Sequence, residues 1–118
     1  MSYSLHLTNP ATNETIELPE PHALAGGTYA IGGTTEAWLN VTYNYARHFH
    51  RVLGPDGIRS IYGLTGEESI PILERAAGEL ADDVSPDYWA ATEGNARRAL
   101  LDLVALARLA PHGVWEGD

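Results

Sequence analysis

The chain contains no cysteine and no lysine among its 118 residues. Without cysteine there is no disulfide framework, no thiolate metal site and no thiol redox switch. Long apolar runs are also lacking: none approaches the ~20 residues that a membrane helix needs. No apolar run of signal-peptide type stands at the N-terminus either. These absences predict a protein that works in the cytoplasm and has no membrane segment.

The composition otherwise fits a single folded domain over residues 1–118. Apolar residues make up 44% of the chain, an ordinary globular fraction, so the acidity of the chain does not indicate disorder. This length allows one domain with a substantial core. The formal net charge is −9, which argues against direct nucleic-acid binding because the phosphate backbone would repel the protein.

Most of the negative charge lies between residues 67 and 93, where Arg75 is the only base. Solubility needs surface charge, but usually of both signs mixed. Carboxylates three or four positions apart on a helix are about 5–6 Å apart, and duplex DNA carries one phosphate per ~3.4 Å of each strand. A helix edge could therefore imitate a coarse row of phosphates, the alternative being that the acids only keep the protein soluble. The predicted partner-binding surface consists of Glu67, Glu68, Glu74, Glu79, Asp82, Asp83, Asp87 and Glu93.

The first 43 residues have the patterns of β-structure. Apolar and polar residues alternate over 3–8 and again over 15–18, which predicts a hairpin ended by Pro19 and Pro21. Further strands are predicted over 28–31 and 37–43, with paired glycines as the turns before and after the first of these.

Residues 44–118 have helical patterns. A short helix over 45–53 is expected to be capped by Asn44. Thr65 and Glu68 have the spacing of a capping box. Pro71 falls inside the helix that follows this box, so we expect that helix to begin at Ser69 or later.

Two more helix signals follow in the sequence. Pro86, after Ser85, suits the first position of another helix. The longest helix is predicted over 92–109 and ends before Pro111. Strands followed by helices predict an α+β domain, in which C-terminal helices pack on one face of a small antiparallel sheet of three or four N-terminal strands.

No motif in the sequence specifies a catalytic, metal or cofactor site. His48 and His50 are two positions apart, and on a helix such residues do not face each other, while a zinc site needs three or four convergent ligands. The glycine pairs 26–27 and 32–33 match neither the dinucleotide fingerprint nor the phosphate loop. We therefore expect no metal, no cofactor and no enzymatic activity.

Several short segments resemble small phage and prophage proteins. They are the run 32–45 (GGTTEAWLNVTYNY), Tyr62-Gly63 followed by Thr65-Gly66, 87–89 (DYW) followed by 92–96 (TEGNA), and 113–115 (GVW). Small acidic phage proteins include anti-CRISPR inhibitors, and this chain is similar in outline to one that acts on a type I-C system. The resemblance implies a monomeric α+β inhibitor in the host bacterial cytoplasm. Its negative face is expected to occupy a DNA-binding surface of the Cascade surveillance complex.

Two other classes of function stay open. One is a small structural or accessory phage protein, whose acidity is incidental and whose aromatic segments serve the core or self-association. The other is a small enzyme that uses the neighbourhood of Tyr43, Asn44, His48 and His50, provided that these side chains converge in a concave pocket.

Overall fold

The computed structural model describes residues 2–28, 33–87 and 90–118. Its strands are β1 (Ser2–Thr8), β2 (Glu17–His22), β3 (Thr34–Glu36), β4 (Trp38–Thr42) and β5 (Val114–Gly117). Its α-helices are α1 (Ala46–Leu53), α2 (Gly66–Gly78) and α3 (Glu93–Leu109), and two 3₁₀ turns cover Tyr43–Tyr45 and Gly57–Ile61. The predicted α+β class is confirmed.

The larger sheet has three antiparallel strands in the order β4-β1-β5. Leu5 lies opposite Leu39 of β4, and Leu7 lies opposite Trp115 of β5, and all four side chains are fully buried. The intervening β1 residues are partly exposed, so the predicted alternation sets one face of this sheet against the core. Strand β5 was not predicted, because a four-residue segment carries too little alternation to be recognised.

The second sheet is a two-stranded ribbon of β2 and β3. The predicted hairpin of 3–8 with 15–18 is present only beside its turn: Thr8 forms an antiparallel bridge with Thr15, and the Ile16 N–H donates to the Leu7 carbonyl. From Glu17 onward, β2 pairs instead with β3. Pro19 and Pro21 lie inside β2 rather than after it, and both are exposed. Each strand of a two-stranded ribbon has one edge that faces no neighbouring strand. Proline is tolerated at that edge, because its missing N–H costs no hydrogen bond between strands. Of the strand predicted over 28–31, Thr28 lies in a bend and the rest is outside the described residues.

Thr42, not Asn44, caps the segment that leads into α1. Its side-chain oxygen accepts a hydrogen bond from the Asn44 N–H at 3.2 Å. Thr42 is the last residue of β4 and has the extended backbone that a cap needs, whereas Asn44 already lies within the 3₁₀ turn. Helix α1 follows without a side-chain cap of its own.

Helix α2 begins at Gly66, so the expected start at Ser69 or later is wrong. The capping box is confirmed, with Thr65 and Glu68 bonding each other's backbone N–H groups at 2.9 and 3.1 Å. The N–H groups of Gly66 and Glu67 donate to the carbonyls of Gly113 and Pro111. The first turn therefore has its donors satisfied. Because Pro71 has no N–H, the carbonyl of the solvent-exposed Glu67 accepts no helical hydrogen bond from it.

Helix α3 begins after Thr92, whose hydroxyl accepts from the Asn95 N–H, and it confirms the helix predicted over 92–109. The helix start predicted at 85–87 is wrong. There the Ser85 hydroxyl accepts from the Asp87 N–H, and the Ser85 N–H donates to the Asn95 side chain. Residues 85–87 therefore form a side-chain-bonded turn beside the start of α3, and residues 88–89 of the predicted helix lie outside the described residues.

The buried apolar side chains form one core cluster between the three-stranded sheet and the helices. Trp115 joins its layers: the fully buried indole donates its Nε1–H to the Ser69 hydroxyl on α2 at 2.8 Å. Ser69 in turn donates to the Gly66 carbonyl. Within the described part of the chain, no helix combines the length and the apolar character that crossing a bilayer requires.

Candidate functional site

The exposed side of α2 carries four of the eight predicted carboxylates. Its other side, which includes Ser69, Leu73 and Ala77, is buried in the core. The exposed four form the α2 acidic face, defined as Glu67, Glu68, Glu74 and Glu79. At 1.5 Å of rise per residue, they extend over ~18 Å of helix axis. Arg75 is also exposed and lies on the same side of the helix.

The other four predicted carboxylates lie in the segment that joins α2 to α3 and at the start of α3. These link carboxylates are Asp82, Asp83, Asp87 and Glu93. The structure brings two of them together: Asp83 Oδ1 accepts from the Gly94 N–H at 3.0 Å, and Glu93 Oε1 accepts from the Ala81 N–H at 3.1 Å. Both carboxylates lie at the N-terminus of α3, where negative charge is favourable.

Arginines balance two of the eight carboxylates. Arg108 pairs with Glu74 at 3.2 Å, and Arg51 pairs with Glu93 at 2.8 Å. All four side chains are between 37% and 60% exposed, so each pair contributes about 0–1 kcal/mol. Both pairs can therefore open with little loss of stability.

The remaining carboxylates differ in whether they form hydrogen bonds with the protein. Hydrogen bonds from Thr65 lower the pKa of Glu68, so that carboxylate is ionised but used in the capping box. The exposed carboxylates of Glu67, Glu79 and Asp82 form no hydrogen bond or ion pair with any residue that the structure describes. The predicted surface thus consists of two neighbouring groups of acids. Within it, the carboxylates of Glu67, Glu79 and Asp82 are not engaged in bonds to the described residues.

A further acidic region lies on the β2–β3 ribbon and was missed. Glu17 and Glu36 are direct partners in the ribbon, an arrangement of like charges that destabilises a sheet. The Thr35 hydroxyl donates to Glu17 across the ribbon. The sequence held a signal for this region, because no arginine precedes Arg47, but the acids are too widely spaced to form a run. The exposed ribbon carboxylates are Glu17, Glu20 and Glu36, together with Glu14 in the loop before β2.

Arg59 contacts the C-terminal residue and the first strand. Arg59 donates from Nε to the backbone carbonyl of Asp118 at 2.8 Å, and its guanidinium carbon lies 4.9 Å from the Tyr3 ring centroid. Nearby, burial and the charge of Asp118 raise the pKa of Tyr62 to about 12, although Arg59 opposes the shift. Arg59 therefore anchors the C-terminal residue to the first strand.

The two neighbouring histidines have separate environments. His48 is buried and donates from Nε2 to the Ala91 carbonyl at 2.9 Å, which joins α1 to the residue before the Thr92 cap. His50 is exposed beside Gly57. Among the described residues, no three histidine, aspartate or glutamate side chains converge as metal ligands.

A cavity of about 440 Å³ lies between the segment 23–28 and α3. Nothing in the sequence predicted it, because its walls come from distant parts of the chain. The polar side chains on its walls include Tyr45, Arg98 and Asp102. Burial raises the pKa of the Asp102 carboxyl to about 6, although the backbone N–H of Ala25 and the Arg98 guanidinium act in the opposite direction.

Replacing Asp102 with asparagine is expected to stabilise the protein at pH 7 by about 1–2 kcal/mol, a value reduced for partial exposure. Because the pKa in the folded state is raised from 3.8 to about 6, the wild type loses stability as pH rises from about 4 to 6. Asparagine does not titrate, so the advantage of the variant should grow over this interval and vanish below it.

Urea unfolding of both proteins at several pH values measures this difference. Asp56→Asn, which removes an exposed aspartate, controls for the loss of one negative charge. An advantage of Asp102→Asn that does not change with pH would show that the Asp102 carboxyl is not strained by burial.

No protein-family model matches the chain, and it matches no curated protein and no solved structure. The fold and the placement of charged side chains are therefore the observations on which a function can be argued.

Proposed function

We propose that this protein is a non-catalytic inhibitor that blocks a basic, DNA-binding surface of a host protein. The α2 acidic face and the adjoining link carboxylates form its contact surface. The observation that carries the proposal is the exposure of Glu67, Glu68 and Glu74 on the solvent side of one capped helix. Glu79 follows as its C-cap, and the exposed Asp82 lies four residues after Gly78.

The core holds these charges in a fixed arrangement. Leu73, Ala76 and Ala77 bury the opposite side of α2, and Trp115 bonds to Ser69 within it. A surface that is already ordered loses little entropy on binding. Its negative potential also speeds encounter with a positively charged partner.

The two surface ion pairs are compatible with this role. A cationic partner can replace Arg108 at Glu74 and Arg51 at Glu93, because exposed pairs contribute so little to stability. Among the described residues, no arginine pairs with the carboxylates of Glu67, Glu79 and Asp82. The surface is therefore strongly negative before it meets a partner.

The resemblance to anti-CRISPR inhibitors supplies the partner for the proposal. A type I-C Cascade complex must bind target DNA, and proteins that bind DNA do so largely through basic surfaces. Such a surface attracts carboxylates as it attracts phosphates. We therefore take purified type I-C Cascade as the partner in the test.

The test removes four negative charges from the proposed contact surface. The variant combines Glu67→Gln, Glu74→Gln, Glu79→Gln and Asp82→Asn, and it leaves the backbone-bonding carboxylates of Glu68, Asp83 and Glu93 in place. We expect its affinity for Cascade to fall about 10- to 100-fold, measured by biolayer interferometry. The wild type should bind less tightly as salt rises, and the variant should show a smaller salt dependence.

The ribbon carboxylates provide a matched control with the same change in net charge. Amide substitutions at Glu14, Glu17, Glu20 and Glu36 also remove four negative charges, but from the β2–β3 ribbon and the loop before it. This control is expected to keep its affinity within about threefold. If both variants lost affinity equally, the effect would come from net charge and not from the position of the charges. If the first variant kept its affinity, α2 would not belong to the interface.

A further inference from the structure

The cavity beside α3 has a different composition from the acidic surface. Its apolar wall is formed by Leu24 and by alanines that include Ala25 and Ala99. Its volume of about 440 Å³ lies within the range of roughly 300–1,000 Å³ that is usual for small-molecule pockets. An apolar cavity with a few polar groups is the ordinary form of such a site.

Arg98 and Asp102 bring opposite charges to this cavity from one side of α3. They are four positions apart on the helix, so their Cβ atoms lie about 5–6 Å apart. No ion pair joins Arg98 to Asp102, whereas Arg51 pairs with Glu93 and Arg108 pairs with Glu74. The Arg98 guanidinium and the Asp102 carboxyl thus line the same cavity without closing on each other.

The opposite wall is built by a close approach of two chain segments. Gly27 has φ +83°, a conformation that suits glycine, and a Cβ at this position would overlap the Tyr45 ring and Thr42. The backbone can therefore lie directly against the Tyr45 side chain. This contact holds Gly27 against the 3₁₀ turn, and the Ala25 N–H links the same segment to Asp102 on α3.

We propose that this cavity binds a small zwitterion of amino-acid type with an apolar side chain. The ammonium group of the ligand would bind the Asp102 carboxylate, and its carboxylate would bind Arg98. The apolar side chain would lie against Leu24 and Ala99. The proposal does not depend on the acidic surface, because none of these residues belongs to it.

The strain on Asp102 supports this assignment. Burial raises its pKa, so the folded protein holds a carboxyl whose charge is poorly solvated. An ammonium group beside it would favour the ionised form. Groups with such perturbed pKa values in a cleft occur often at binding sites.

The test is a ¹H–¹⁵N NMR titration of the full chain at pH 7 with L-phenylalanine, L-leucine and L-leucyl-L-phenylalanine. We expect at least one of them to give saturable shifts at the amides of Ala25 and Ala99, with a Kd of about 1 mM or tighter. Capping that ligand, by N-acetylation at one end or amidation at the other, should weaken binding about tenfold in each case. Titration at pH 5 should show weaker binding, since Asp102 is then largely protonated.

Two substitutions assign the groups that bind each end. In Asp102→Asn the free ligand should bind about tenfold more weakly, and N-acetylation of the ligand should weaken binding no further. In Arg98→Gln the free ligand should also bind about tenfold more weakly, and amidation of the ligand should weaken binding no further. Arg47→Gln, at an exposed position on α1, is the matched control and should bind like the wild type. The proposal is overturned if no zwitterion gives saturable shifts at the cavity, or if the capped and free ligands bind equally.

Discussion

Trp115→Ala is expected to lower the free energy of unfolding by about 3–5 kcal/mol, the usual loss for an aromatic side chain in a core. The indole is fully buried, faces Leu7 of β1 and donates to Ser69 of α2. Its removal leaves a cavity between the sheet and the helix that carries the acidic face. For a domain with a total stability of about 5–15 kcal/mol, this loss is severe.

Urea unfolding followed by circular dichroism measures the effect of this substitution. Trp115→Phe keeps most of the apolar volume and loses the indole N–H, so it should lower the stability by about 1–2 kcal/mol. His112→Ala, at an exposed site three residues earlier, serves as the control. A loss below about 1 kcal/mol for Trp115→Ala would mean that β5 does not close the core.

Gly94→Ala is expected to destabilise the protein by about 2–3 kcal/mol, because the new methyl group has no space. A Cβ at this position would lie 2.5 Å from the carbonyl carbon of Asp83 and from the nitrogen of Val84. Both are backbone atoms, which cannot rotate away as a side chain can. The link must therefore move off the start of α3, and the bond from the Gly94 N–H to Asp83 is lost.

Gly78→Ala is the matched control, since it makes the same chemical change near the end of α2. Apart from the helix's own nearby backbone, nothing lies within 4 Å of a Cβ built there, so alanine should stabilise the helix by about 0.5–1 kcal/mol. Thermal unfolding of both variants should show midpoints shifted in opposite directions. Equal or higher stability of Gly94→Ala would contradict the close contact between the link and α3.

Local patterns predicted the elements whose determinants lie within the element itself. The alternation around Leu5 identified β1, and the spacing of Thr65 and Glu68 identified the capping box of α2. The start of α2 was predicted too late, because its first donors bond to Pro111 and Gly113. Such long-range acceptors leave no trace in the local sequence.

The candidate sites depended even more on distant contacts. Arg108 and Glu74 are 34 positions apart, and Arg51 and Glu93 are 42 apart, so the partial neutralisation of the acidic surface could not be predicted. Asp102 has an unremarkable place in the helical pattern of α3. Its pKa is raised by burial that exists only in the folded chain, and the Ala25 N–H that opposes the rise comes from a distant part of the sequence.

The central claim is that the α2 acidic face and the link carboxylates occupy a surface that otherwise binds DNA. The most direct measurement is the affinity of purified type I-C Cascade for its target DNA at increasing concentrations of this protein. We expect strict competition, in which the apparent Kd for DNA rises in proportion to the protein concentration and no complex contains both. An unchanged Kd, with DNA and the protein bound to Cascade together, would contradict the claim.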